Sequence, residues 1–242
     1  MRFNPTILER AYFSDLSTLS EEIISQLADK IKNKETIRSG DSFIVDLGDN
    51  HDLEIKFYKD YSRRAREFLK KRKAQFADTK VRAFYFDDIS DKADGTIEIY
   101  LNYSKPYYYK NLDSIDIVNS RLPKFIKDIL RHEITHAYET NLTEFGDVRP
   151  NSEQEQEYDE YVNSDEEINA VFNGVVSSAI YNDKLINYYV AIGDINAAMR
   201  ALVLRITNEP EIDNLSDENK KWILKTAYTT LQDQIEKNSI ES

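Results

Sequence analysis

The stretch from Leu122 to His136 constrains this chain more than any other. Leu122, Phe125, Ile126, Ile129 and Leu130 recur at intervals of three and four, the period of an amphipathic helix. Pro123 falls where a first helical turn tolerates a missing N–H. The same period carries His132 and His136 onto the face of Phe125 and Ile129, so both imidazoles belong to the buried side. Polar groups buried without partners are costly. Residues four apart on a helix project from one side about a turn apart, so one tetrahedral zinc would satisfy both histidines, while Glu133 points toward the vacant side.

The rest of the chain has to supply the cover for that helix. Leu16 to Ile31 reads as a helix, with Leu16, Leu19, Ile23, Ile24, Leu27 and Ile31 in register and Ser17 or Ser20 as its cap. Ser42 to Leu47 and Leu53 to Tyr58 read as a hairpin around the turn-forming Gly48-Asp-Asn-His51. Lys59 to Lys73 reads as a helix with a solvated basic face, docking of an acidic partner being the sharper reading of that face. Val81 to Phe86 and Thr96 to Tyr103 read as strands. Thr140 to Ser164 is polar and acidic and reads as a surface loop. Asp165 to Ile180, Ile195 to Ile206 and Asp217 to Ile235 read as helices, the last with a frayed tail.

This order predicts an α+β fold with a mixed sheet of about four strands, an active-site helix and a helical C-terminal lobe. A single domain over 1–242 is expected, with a sheet lobe over 1–118 and a helical lobe over 119–242 that carries the metal ligands. A cleft between the layers is the expected site.

Composition narrows the chemistry. The chain has 242 residues, no cysteine and a formal net charge of −12. Without thiolates a metal must be held by His, Asp or Glu. The acidic balance argues against nucleic acid, which is bound by clustered Lys and Arg. No apolar run approaches a membrane span or a signal-peptide core, so a soluble, cytoplasmic setting with no membrane partner is expected. His51, in the hairpin turn, is assigned no role.

A His-Glu-x-x-His helix followed by a Glu on a later helix resembles the gluzincin branch of zinc peptidases, in particular small gluzincins such as the catalytic domain of anthrax lethal factor. The later helix reads Ser164-Asp-Glu-Glu167-Ile-Asn-Ala170, and the Glu-x-x-Ala pattern of the branch falls on Glu167 to Ala170. The resemblance covers roughly Thr96 to Ala179. It implies Zn²⁺ held by His132, His136 and Glu167, with Glu133 as the base that activates water. Ser164 and Glu167 also spell a capping box, in which Glu167 would fold back on the backbone and Glu166 would be the ligand.

Tyr161, six residues before Glu167, resembles the tyrosine that precedes the ligand glutamate, which implies a donor to the oxyanion. Thr96 to Tyr103 would by the same resemblance be an exposed edge strand along which a peptide pairs, and Tyr107, Tyr108 and Tyr109 either line a pocket or pack a loop. Val171 stands where thermolysin-like members often place an acidic residue. That leaves Asn169, Glu139 or a backbone carbonyl to orient a histidine.

The implied activity is that of a zinc-dependent endopeptidase acting on a protein or peptide. Two other readings share these residues. One is a non-catalytic, zinc-stabilised assembly or adaptor protein. The other is a dedicated processing peptidase of a virus particle or toxin system, gated by the acidic loop.

Overall fold

The computed structural model describes residues 7–48, 51–71, 82–87, 93–102, 112–119, 121–141, 163–207 and 209–241. It is an α+β protein with a small mixed sheet and several helices. The chain divides into two compact units, Thr18–Tyr158 on one hand and Met1–Ser17 with Asp159–Ser242 on the other.

The first helix, α1, runs over Ile7–Ile31. Leu16, Ile23, Leu27 and Ile31 are fully buried, as their spacing requires. Ser17 and Ser20 do not cap it. The apolar period extends back through Leu8 and Tyr12, so both serines lie inside the helix, and Ser20 is itself fully buried.

Strands β1 (Thr36–Arg38), β2 (Ser42–Gly48) and β3 (His51–Tyr58) follow. β2 and β3 form the expected antiparallel hairpin, with Phe43 opposite Ile55 and Val45 opposite Leu53. Gly48 takes φ +99° at the turn, a conformation that L side chains avoid. The Gln26 side chain donates to the Asp46 carbonyl and accepts from the Asp46 amide, at 3.0 and 2.8 Å. α1 thereby occupies backbone groups that an edge strand would otherwise leave open.

Helix α2 (Arg63–Lys71), β4 (Ala83–Phe86), β5 (Gly95–Tyr100) and β6 (Ser114–Asp116) complete the strand region. The four-stranded sheet has the order β2-β3-β5-β4, with β3 and β5 parallel and the other pairs antiparallel. A separate antiparallel pair, β1 with β6, is absent from the sequence reading, because three residues are too few to show a period.

The expected edge strand is an inner one. β5 pairs with β3 on one side and β4 on the other, and all six of its residues are buried. Its alternation of Thr96, Glu98 and Tyr100 with Ile97 and Ile99 imitates a strand wet on one face, yet α2 covers that face. The Glu98 carboxylate accepts from Ser62 Oγ at 2.6 Å, Arg64 Nη2 at 2.9 Å and the Tyr100 hydroxyl at 2.5 Å. On β3, Glu54 is likewise buried, bonded to Ser42 and Lys56. Burial, and then the adjoining Glu98 carboxylate, push the Tyr100 phenol above its ordinary value, in keeping with its hydroxyl donating to Glu98.

Around this polar layer Ala65, Phe84 and Tyr100 pack with Tyr61, Phe68 and Phe86, and the Arg64 guanidinium sits 3.8 Å over the Phe86 ring. The basic helix is thus not uniformly solvated: Arg63, Arg66 and Lys70 are exposed and Arg64 turns inward.

The apolar face of the sheet carries Phe43, Val45, Leu53, Ile55, Phe57, Ile97 and Ile99. Helix α3 (Lys124–Asn141) packs against β4 and β5. Pro123 precedes its first turn and accepts from the amides of Ile126 and Lys127. The histidine helix therefore belongs with the sheet rather than with the helices that follow it.

The second unit is helical. α4 (Asp165–Val171) passes through a π-helical turn, Phe172–Ser177, into α5 (Ser178–Asn182). Then come α6 (Lys184–Ala191), α7 (Ile195–Ile206), α8 (Pro210–Asp213) and α9 (Asp217–Glu241). Asp183 and Asp194 cap α6 and α7 by accepting from Leu185, Ile186 and Ala197 amides. Their common core includes Ile168, Phe172, Val176, Ile180, Leu202, Ile223 and Leu231. α6 was not foreseen, and α9 continues past the expected fraying point. No helix among the described residues is long and apolar enough to cross a membrane.

Ile134, fully buried between the two histidines in sequence, tests the seating of α3. Ile134→Ala should cost about 2–5 kcal/mol and Lys124→Ala, at an exposed position, within about 0.5 kcal/mol, both read from the midpoint of urea unfolding.

Candidate metal centre

On α3 the buried residues Ile126, Leu130, Ile134 and Ala137 recur at the helical period and are each fully buried. They set the helix down on one side, and His132 and His136, half-buried, project from a neighbouring one. Their rings lie 5.1 Å apart between centroids, inclined at 73°. Ile129 on the same side is buried; Phe125 is half-buried. Glu133 is buried at 7% exposure, although a carboxylate in a helix interior normally seeks water.

α4 carries the third residue. Ser164 takes an extended backbone and its hydroxyl accepts from the Glu167 amide, the usual device for ending the row of free N–H groups. Asn163 ties the same corner to the start of α9: its Oδ1 accepts from the Ser216 amide at 2.7 Å and from Asn219 Nδ2 at 2.8 Å. Glu167 is buried, Asp165 exposed and Glu166 intermediate.

One nitrogen from each of His132 and His136 and one carboxylate oxygen of Glu167 all lie within 4.8 Å of one another. Among the described residues this is the group of His, Asp and Glu side chains able to hold a metal ion. The capping geometry and the cluster coexist, since the Ser164 hydroxyl takes the Glu167 amide while the Glu167 carboxylate lies with the imidazoles. Glu166, the alternative ligand, is not in the group. Two imidazoles and one carboxylate form a donor set that catalytic zinc takes, with bonds of about 2.0–2.2 Å. Bonds of that length at a tetrahedral angle place donors roughly 3.4 Å apart, so a bound ion would draw the three donors closer than the 4.8 Å within which they lie.

The other sequence assignments divide. Tyr161, Tyr107, Tyr108, Tyr109 and nearly all of the acidic loop lie outside the described residues. Asn169 and Glu139 are partly buried, on α4 and α3. His51 opens β3 with Nδ1 3.5 Å from Asp94 Oδ2 and is not among the clustered donors.

Arg131, next to His132, escaped the sequence reading. Its guanidinium is 3% exposed and pairs with Glu21 and Asp128. The signal was there: a cation directly after the apolar Ile129-Leu130, with an acid one turn earlier on the same helix.

Comparison with known proteins returned no matching family model, no matching curated protein and no matching solved structure.

Ser164→Ala removes the acceptor at the head of α4 and should cost about 0.5–2 kcal/mol. The check is thermal unfolding, with hydrogen exchange at the Glu167 amide expected to accelerate as the first turn frays.

Proposed function

We propose that this chain is a zinc-dependent endopeptidase with a zincin-like fold of the gluzincin type. The observation that supports the reading is the convergence of His132, His136 and Glu167 donors within 4.8 Å, with Glu133 next to the first of them in the chain. Catalytic sites pair three protein ligands with one open position, and here the described cluster supplies three.

His132, His136 and Glu167 would hold the ion, which when bound lowers the pKa of a water to about 7 and polarises the substrate carbonyl. The work of the chain is done by Glu133. Its carboxylate takes the proton from the attacking water and returns it to the departing amine, the double duty of a general base and acid. Tyr161 is retained as a donor to the developing oxyanion. An extended peptide binding by main-chain pairing would take β4, because both sides of β5 are occupied.

Elemental analysis and proteolysis of an unfolded protein substrate test the proposal together. Wild type should hold one zinc per chain and cleave. Glu133→Gln should keep the zinc and lose about 10²–10⁴-fold in turnover. His136→Ala and Glu167→Gln should lose or weaken the zinc. A folded, metal-free wild type would overturn the proposal. Stoichiometric zinc without cleavage of any substrate would instead favour the non-catalytic assembly or adaptor reading.

A further inference from the structure

Arg131 directly precedes the first histidine, and its charged group is almost wholly withdrawn from water. Its Nε donates to Glu21 Oε1 at 3.0 Å and its Nη2 donates to the same carboxylate. Its Nη1 donates to Asp128 Oδ1 at 3.1 Å. Asp128 stands one turn back on α3, whereas Glu21 stands on α1, 110 residues away in the chain. One planar group therefore ties α3 to itself and to a second helix. The Arg131 carbonyl also accepts from Thr135 Oγ1 at 2.9 Å.

Stability alone is a poor account of this arrangement. Withdrawing a guanidinium from water is expensive, and apolar replacements of buried ion pairs are often neutral or stabilising. What the pairing adds is orientation, because the guanidinium fork has fixed donor directions. Apolar packing resists separation of α3 from the sheet but is less selective about rotation around the helix axis. Side-chain tips lie roughly 5–6 Å from that axis, so a rotation of about 10° carries an imidazole nitrogen by roughly 1 Å. A site held by bonds of about 2 Å does not tolerate such a displacement.

We propose that Arg131, held by Glu21 and Asp128, is a positioning residue that sets the rotation of α3 about its own axis and so aims both imidazoles at the metal position. The proposal rests on the zinc reading given above.

The test uses the full chain in three variants. Glu21→Gln changes a half-exposed side chain and should leave folding intact. Arg131→Met removes the charge while keeping the length, and Arg131→Lys keeps the charge but not the fork. Zinc affinity by chelator competition, the visible spectrum of the Co²⁺ form and the thermal midpoint are read for each. Glu21→Gln and Arg131→Met should bind zinc about 10–100-fold more weakly, as losses of supporting partners around metal sites do, with shifted cobalt bands. Arg131→Lys should recover part of the loss, and none of these changes should track the thermal midpoint. Wild-type affinity and an unchanged cobalt spectrum in both Glu21→Gln and Arg131→Met would overturn the proposal while leaving the zinc reading intact. Absence of metal from the wild type would overturn the zinc reading itself, and the role of Arg131 with it.

Discussion

The burial of α3 against β4 and β5 is the constraint from which the candidate centre follows. A helix buried along Ile126, Leu130, Ile134 and Ala137 has few sides left, and the histidine pair occupies one of them. Each residue of the motif then takes its environment from its angle around the axis. Ile134 faces the core, Arg131 faces α1 through Glu21, the imidazoles stay partly open, and Glu133 is withdrawn from solvent. Changing one angle changes all of them, because residues on a helix cannot be turned independently.

The opposite face of the sheet obeys a different rule. There the strands present Glu54, Lys56, Glu98 and Tyr100, and α2 closes over part of them with Ser62 and Arg64. Two carboxylates at 3% and 6% exposure are tolerable because each accepts from several donors, which removes most of the penalty for taking charge out of water. The sheet is thus fastened by direction-specific bonds on one face and by apolar packing on the other. The directional face fixes strand register, since a one-residue slip would turn every carboxylate to the wrong side.

Much of this was legible in the sequence, and the failures have physical causes. The hairpin, the basic helix and the histidine helix announce themselves because long periodic segments carry a strong signal. Glu167 was reachable only through the Glu-x-x-Ala pattern of the resemblance, which falls on Glu167 to Ala170; the capping spacing from Ser164 to Glu167 pointed to Glu166 instead. β5 misled because Thr96, Glu98 and Tyr100 look like a wet face, and nothing local in the chain says that Ser62 and Arg64 will satisfy them. The β1 and β6 pairing depends on residues some eighty positions apart, and Arg131 with Glu21 on residues more than a hundred apart. Such long-range pairings leave no periodic trace.

The π-helical turn Phe172–Ser177, between the helix that carries Glu167 and α5, has a consequence for the lineage of this chain. Its hydrogen bonds skip one residue more than those of an α-helix, so the turn accommodates one surplus residue without ending the helix. Loss of a single codon within it would restore ordinary helical winding. Because the wide turn is what absorbs the surplus residue, Glu167 before it and α5 after it would keep their relative orientation, and only the packing of Phe172 and Val176 would have to close over the lost residue. A one-residue deletion among descendants should therefore be tolerated at this turn more readily than in the regular helices around it, where the same loss would rotate all that follows by about 100°.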